Sequence, residues 1–430
     1  MNKKRYIHSE LLLKRALNTI PLGSQTFSKS KTQYPFGVSP FFLKKGEKSR
    51  VWDVDGNEYI DFVNGLAAIT LGYNDPDVTK AVQEQLCEGV IFTLPHPIEV
   101  QVSEKIVDMV PCAEMVRFGK NGSDATAGSI RLARAYTRRD HVAVCGYHGW
   151  QDWYIGTTNR DLGVPNVTKN LTHTFTYNDI ESLKKIFNQF PDQIAAVILE
   201  PMNIEEPKDG FLEEIKELTH NSGSLLIFDE TITGFRFANG GAQSYFGVIP
   251  DLATFGKGMA NGFPISALTG SEKIMKLMEE VFYSFTFGGE ALSLAASYAT
   301  MSKLQHYPVI DTLKSQGEKV ITGIQSLIQK HHMSHILSIT GHPSWSFLLF
   351  KDVRQYNQWE IKTLFLQEVF ARGILSLGTH NMSYAHTDQD IVRLLQVYDE
   401  VFSVIKEAVD QSKMDKFLKC NPLKPLFKLR

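Results

Sequence analysis

Two ionisable side chains, Asp229 and Lys257, stand where their neighbours equip them for chemistry. Asp229 closes the apolar run Leu225-Leu226-Ile227-Phe228 and is followed by Glu230. A short apolar run between polar segments reads as a strand buried on both faces. An acid at the carboxyl end of such a strand occupies the edge at which open α/β sheets place their ligands. Lys257 lies between Gly256 and Gly258, just past a second short run, so the backbone can turn tightly and the amine projects freely. The ordinary uses of these residues are a solvated lysine in a turn and an aspartate capping a helix. Together, however, they match the needs of pyridoxal 5'-phosphate (PLP). The lysine would form a Schiff base, and the aspartate would keep the pyridine nitrogen protonated so that the ring draws electrons.

A second constellation is Val116-Arg117-Phe118-Gly119-Lys120-Asn121-Gly122-Ser123-Asp124-Ala125, leading into a helix expected over residues 127–136. Strand, glycine-bearing turn and helix start make a natural anion site, because N–H groups and the helix dipole face the ligand there. A simple Ser or Asp cap is the plainer reading of the same residues. Val142-Ala143-Val144-Cys145 is another buried run, ending in Gly146-Tyr147-His148-Gly149-Trp150. Tyr147 can lie flat on a planar ligand, while Trp150 reads as core packing. His148 either orients Tyr147 or bonds a backbone carbonyl. Ile194 to Leu199 repeats the theme and ends on Glu200, a capping acid or a residue touching the site.

The string Phe228-Asp229-Glu230-Thr231-Ile232-Thr233-Gly234-Phe235-Arg236, with Gly240-Gly241-Ala242-Gln243 and Pro250-Asp251-Leu252, resembles the class III aminotransferases. The likeness is greatest to the branch containing glutamate-1-semialdehyde aminomutase. It implies a fold-type I PLP-dependent transferase working as a homodimer with shared active sites. Lys257 and Asp229 would be catalytic. Gly122, Ser123 and Asp124 match the family's phosphate loop, Tyr147 its ring-stacking tyrosine, and Thr231 falls within the Asp-containing motif. Thr286, in Phe285-Thr286-Phe287-Gly288-Gly289, matches a threonine that reaches the cofactor phosphate of the neighbouring subunit. The family continues that motif with Asn-Pro, where this chain has Glu290-Ala291. Lys29, Glu200 and Glu290 are the candidates for touching substrate. The aminomutase carries an arginine for the substrate carboxylate where the best register puts Lys29, and a tryptophan where this chain has Leu66. A lysine cannot reproduce the planar two-pronged grip of a guanidinium. The resemblance therefore implies a different acceptor, such as a keto- or aldehydo-sugar or a phosphorylated small carbonyl, with an amino acid such as glutamate as donor. Intramolecular amino transfer is the nearest rival, and a catalytically silent binding protein on the same fold a more distant one.

The elements needed to hold these residues are legible around them. At 430 residues the chain suggests two domains or one large α/β unit. Strands alternating with helices argue for a mostly parallel sheet with crossover helices. We expect an N-terminal segment over residues 1–75, a large cofactor-binding domain over 76–308, and a small α/β domain over 309–430 completed by the N-terminal strands. Asp55-Gly56 between alternating runs (residues 51–62) signals a hairpin. Ser24 to Pro40 is an irregular stretch which, by the resemblance, crosses the mouth of the active site. A net charge of -2 gives no reason to expect nucleic acid or an anionic membrane as partner. Cys87, Cys112, Cys145 and Cys420 show no metal or disulfide spacing, which fits a reducing cytoplasm. No apolar run approaches a membrane span, the basic start has no signal-peptide core, and the basic tail from Lys413 reads as a solvated edge.

Overall fold

The computed structural model describes residues 5–425; the extreme termini, including the basic start and the last five residues of the basic tail, lie outside the described residues. The chain divides into two units. One takes in residues 5–66, Leu71–Asp75 and residues 311–425, and the other takes in Ala67–Thr70 and Pro76–Ile310.

The second unit is built on seven strands: β1 (Met115–Gly119), β2 (His141–Cys145), β3 (Thr172–Thr174), β4 (Ile194–Leu199), β5 (Leu225–Asp229), β6 (Leu252–Phe255) and β7 (Ser266–Gly270). Their order across the sheet is β1-β7-β6-β5-β4-β2-β3. β6, β5, β4, β2 and β3 pair in parallel, while β7 runs antiparallel to both β1 and β6. The expected α/β architecture with a mostly parallel sheet is therefore present. The apolar runs form strands because both faces are covered. Val142, Val144, Ala196, Ile198, Leu225 and Ile227 pack into one core with Ile130, Leu132 and Ala133 of helix α1 (Gly122–Thr137). Ala143, Val197, Leu199, Leu226 and Phe228 face the other core, with Phe211, Leu212 and Ile215 of helix α2 (Phe211–Asn221). Period-two alternation thus sends successive residues of one strand into two different cores. α1 starts five residues earlier than its apolar periodicity suggests. Asn121 accepts from the Asp124 N–H and Asp124 returns a bond to the Asn121 N–H, a reciprocal cap that recruits Gly122 and Ser123 into the first turn. Helix α3 (Ala291–His306) completes the elements that bear on the site.

In the first unit, Arg50–Asp53 and Glu58–Asp61 form the expected hairpin, within a four-stranded sheet that Ile374–Leu375 joins in parallel. A three-stranded antiparallel sheet (Leu337–His342, Trp345–Phe350, Thr379–Asn381) and the helices Gln358–Ala371 and Asp388–Asp410 make up the rest of its frame. Residues 24–40 are irregular apart from a short 3-10 turn, Phe27–Lys29. Among the described residues, no helix is long and apolar enough to cross a membrane, and no cluster of three or more His, Cys, Asp or Glu is placed to hold a metal.

Candidate active site

The strand order brings one edge of the second unit's sheet together. The carboxyl ends of β1, β2, β4, β5 and β6 lead into Lys120–Ser123, Gly146–Trp150, Glu200, Asp229 and Gly256–Lys257. The carboxylate of Asp229 is buried and held by four donors. Its Oδ1 accepts from the Thr231 N–H (3.1 Å), the Thr231 hydroxyl (2.6 Å) and the Thr254 hydroxyl (3.1 Å). Thr254 reaches it because the two residues are paired across β5 and β6. Oδ2 faces His148 Nδ1 at 2.8 Å. The other ring nitrogen of His148 lies 3.0 Å from the carbonyl of Cys145, which can only accept. Both ring nitrogens of His148 therefore face acceptors. Burial would raise the Asp229 carboxyl. The bond and charge of His148, together with Thr231, override this and hold it below the usual carboxylate range. Oδ2 keeps one lone pair for a further donor.

Lys257 is half-buried at the start of a short 3-10 turn, with φ +41°. Burial lowers its amine below the usual range. The charges of Asp229 and Glu200 oppose this, and the Arg236 guanidinium adds to it. Glu200 is buried, and its Oε2 accepts from the Tyr147 N–H (3.0 Å) and the Asn203 side chain (2.8 Å). Burial and the neighbouring Asp229 raise its carboxyl. Both open readings of these residues thus resolve into contacts. His148 bonds a carbonyl but is also the partner of Asp229, and Glu200 holds the backbone of Tyr147. Tyr147 is 49% exposed, which leaves it accessible to a planar ligand. Trp150 is 63% exposed, not the core residue its apolar ring suggests, and its backbone N–H donates to the Ser123 hydroxyl at 3.3 Å.

At the β1–α1 turn, the Asp124 carboxylate bonds the N–H groups of Lys120 (2.9 Å) and Asn121 (3.0 Å). Asp124 therefore shapes the turn through its cap. The first-turn N–H groups of Gly122 and Ser123 have no acceptor within the helix by geometry, and α1 is long enough for its dipole to favour an anion there. Close packing leaves no room for side chains around the turn: a Cβ on Gly122 would meet Thr231 Cγ2 at 2.9 Å, and one on Gly149 would strike the Ser123 hydroxyl. These features fit PLP. The turn offers N–H groups to a phosphate, Tyr147 an accessible aromatic side chain, Asp229 an ionised acceptor, and Lys257 an amine biased toward its neutral form.

Glu290 caps α3, accepting from Leu292 N–H (2.8 Å) and Ser293 N–H (3.2 Å), and pairs with Lys120 at 3.0 Å. Thr286 is exposed in a turn between Phe285 and Gly288. Lys29 belongs to the first unit, where it is exposed at the end of its 3-10 turn. Motif reading missed Thr254, Asn203 and Lys120, although the parallel register of β5 and β6 would have pointed to Thr254. It also missed Glu230, whose buried carboxylate accepts from the Gln243 side chain (2.9 Å), the Thr233 hydroxyl (3.1 Å) and the Ala242 N–H. Burial pushes it up to about 7 despite these donors, and it ties the 233–243 loop to the residue after Asp229.

The model of class-III aminotransferases matches residues 33–402. A 3-aminobutyryl-CoA aminotransferase of Cloacimonas acidaminovorans is 33% identical over 94% of this chain and 99% of its own length. A glutamate-1-semialdehyde 2,1-aminomutase of an Exiguobacterium species is 35% identical over 86% of this chain and 92% of its own. Among solved structures, the FumI protein of Sphingopyxis sp. MTA144, determined in a PLP form, superposes with a TM-score of 0.88 at 29% identity, covering 96% of this chain and 98% of that one.

Proposed function

The chain belongs to the class-III aminotransferases, a PLP-dependent family of transaminases and aminomutases, and on that premise we propose that it transfers an amino group between two separate substrates. The donor is an amino acid such as glutamate, and the acceptor is an aldehyde or ketone, in our reading sugar-derived or phosphorylated. The observation that carries the catalytic part is Asp229, a buried carboxylate kept ionised by His148 and two threonines on the strand next to the one that leads into Lys257.

PLP, when bound, supplies the carbonyl that takes up the amino group and the ring that stabilises the electron pair left by deprotonation. The protein's share follows from its own residues. The Gly122 and Ser123 N–H groups would hold the phosphate, and Tyr147, its backbone set by Glu200, would cover the ring. Asp229, ionised and with capacity for a further donor, would hold a protonated ring nitrogen and keep it positive. Lys257, once its amine is free, would take the proton from the donor's Cα in one half-reaction and, in the other, would deliver a proton to the acceptor carbon, a role suited by an amine that burial biases toward neutrality. Thr286 completes the phosphate site of a second copy.

Amino donors and carbonyl acceptors, screened singly while the cofactor's absorbance is followed, should show a donor half-reaction and a separate acceptor half-reaction, both absent in Lys257→Ala. Normal multiple turnover in Lys257→Ala would overturn the assignment. The 35% identity to an aminomutase supports intramolecular transfer as the second reading. Efficient conversion of glutamate-1-semialdehyde to 5-aminolevulinate without added donor would replace ours with it. For the shared site, mixing Thr286→Ala with Lys257→Ala subunits should restore activity, and none returning after verified subunit exchange would refute it.

A further inference from the structure

Lys120 is the first residue after β1 and belongs to the turn through its backbone, its N–H donating to Asp124 Oδ2 at 2.9 Å. Its side chain leaves that turn and reaches the N-terminus of α3, where the amine lies 3.0 Å from Glu290 Oε2 and 3.3 Å from the Ser293 hydroxyl. The two side chains are only 21% and 12% exposed, so solvent screens the pair weakly. Glu290 is itself immobilised, since its carboxylate caps α3 through two backbone N–H groups. The preceding end of the same segment is held by cations of the same strand–turn–helix unit. Arg117 of β1 donates to the Tyr283 carbonyl (2.7 Å), and Arg131 of α1 donates to the Phe282 carbonyl (2.8 Å). Between these anchors residues 284–287 are exposed, Thr286 among them.

We propose that the Lys120–Glu290 ion pair is a positioning clasp for cofactor retention. It locks the Gly122–Ser123 turn and the Thr286 segment into one mechanical unit, so that the turn presents its N–H groups to this copy's phosphate while the segment presents Thr286 to a second copy's. This deepens the PLP reading above and rests on it. The clasp also commits the Lys120 amine to Glu290, so the turn grips phosphate with N–H groups while the nearby lysine charge is neutralised at α3. A carboxylate is needed for both jobs, because one group must accept from the α3 N–H groups and oppose a cation.

The test is the rate at which the holoenzyme releases PLP into a trapping excess of apo-acceptor protein, read by absorbance, alongside the melting temperature of the apoprotein. Lys120→Met and Glu290→Gln, the latter keeping an acceptor for the cap, should each speed release about tenfold, the scale of one charge-assisted hydrogen bond. The double variant should release no faster than the singles, and Lys120→Arg, which keeps the cation, should release at the wild-type rate. Apoprotein melting should stay near wild type in every variant. Wild-type release in Lys120→Met, additive effects in the double variant, or a fall in apoprotein melting that accounts for the faster release would each overturn the clasp. Ser123→Pro, which removes one of the turn's N–H donors at a first-turn position that tolerates proline, separates the two levels. If it speeds release and Lys120→Met does not, only the clasp fails; if neither does, the phosphate-turn reading fails with it.

Discussion

At the scale of single residues, the decisive feature is that Asp229 is ionised where burial alone would protonate it. Four donors, His148 among them, do this, and removing them has a predictable sign. Asp229→Asn cannot hold a ring nitrogen positive, so turnover should fall by orders of magnitude while cofactor still binds. A loss of less than about tenfold, roughly 1.4 kcal/mol in the barrier, would exclude Asp229 as that partner. His148→Phe removes the largest influence that lowers the Asp229 carboxyl and leaves mainly Thr231 to oppose burial. The Asp229 pKa then rises, so the acid limb of the rate profile should move to higher pH. An unmoved acid limb in a folded His148→Phe enzyme would show that His148 does not set the charge on Asp229.

At the scale of elements, the site depends on backbones packed too closely for side chains. Gly149 has φ +103°, and a Cβ there would run into the Ser123 side chain at the head of α1. Gly163 has a similar φ of +90° with nothing within 4 Å of a Cβ. Alanine at either position meets the same kind of backbone strain, on the order of 1–3 kcal/mol, but only at Gly149 must it also displace Ser123. Gly149→Ala should therefore lower the melting temperature more than Gly163→Ala and should also weaken cofactor retention. Equal melting temperatures and equal retention would show that the contact between the β2 turn and α1 is looser than the packing implies.

At the scale of the whole molecule, the first unit carries its own buried polar network, and it sets a pH limit. His380 is fully buried, with its nitrogens against the Ser346 hydroxyl (3.1 Å) and the Tyr398 hydroxyl (2.9 Å). Burial, with a smaller contribution from the neighbouring His386, pushes its imidazole down to about 3. The unfolded chain binds this proton near the ordinary value of about 6.5. Between these values the unfolded state holds more protons, so stability rises with pH in that window. Stability from this group is complete above about pH 6.5 and is lost as pH falls toward 3. Melting temperature should drop as pH is lowered from 7 to 4, and the slope should be shallower in His380→Gln, which keeps hydrogen-bonding capacity without a titrating ring. A slope unchanged by that substitution would remove His380 as a source of the acid sensitivity.

What the sequence determined by itself was local: Asp229 at the end of an apolar run, Lys257 in its glycine turn, the Asn121 to Asp124 turn before a helix, and strands alternating with helices. Apolar runs become strands and glycine turns stay turns for reasons contained within a few residues. Tertiary structure decided the partners. His148 meets Asp229 across 81 positions, Glu200 holds the Tyr147 backbone across 53, and Lys120 meets Glu290 across 170. Motif reading offered His148 either Tyr147 or a carbonyl but not Asp229, left Glu290 without a partner and made Trp150 a core residue, although Trp150 is largely exposed. The helix start moved forward to Gly122 because a reciprocal side-chain cap, not apolar periodicity, defines that end. A side chain's partner depends on which strands become neighbours, and strand order follows from burying both faces of the sheet at once. Residue types along the chain therefore announced the chemistry, and the order β1-β7-β6-β5-β4-β2-β3 decided which residues carry it out together.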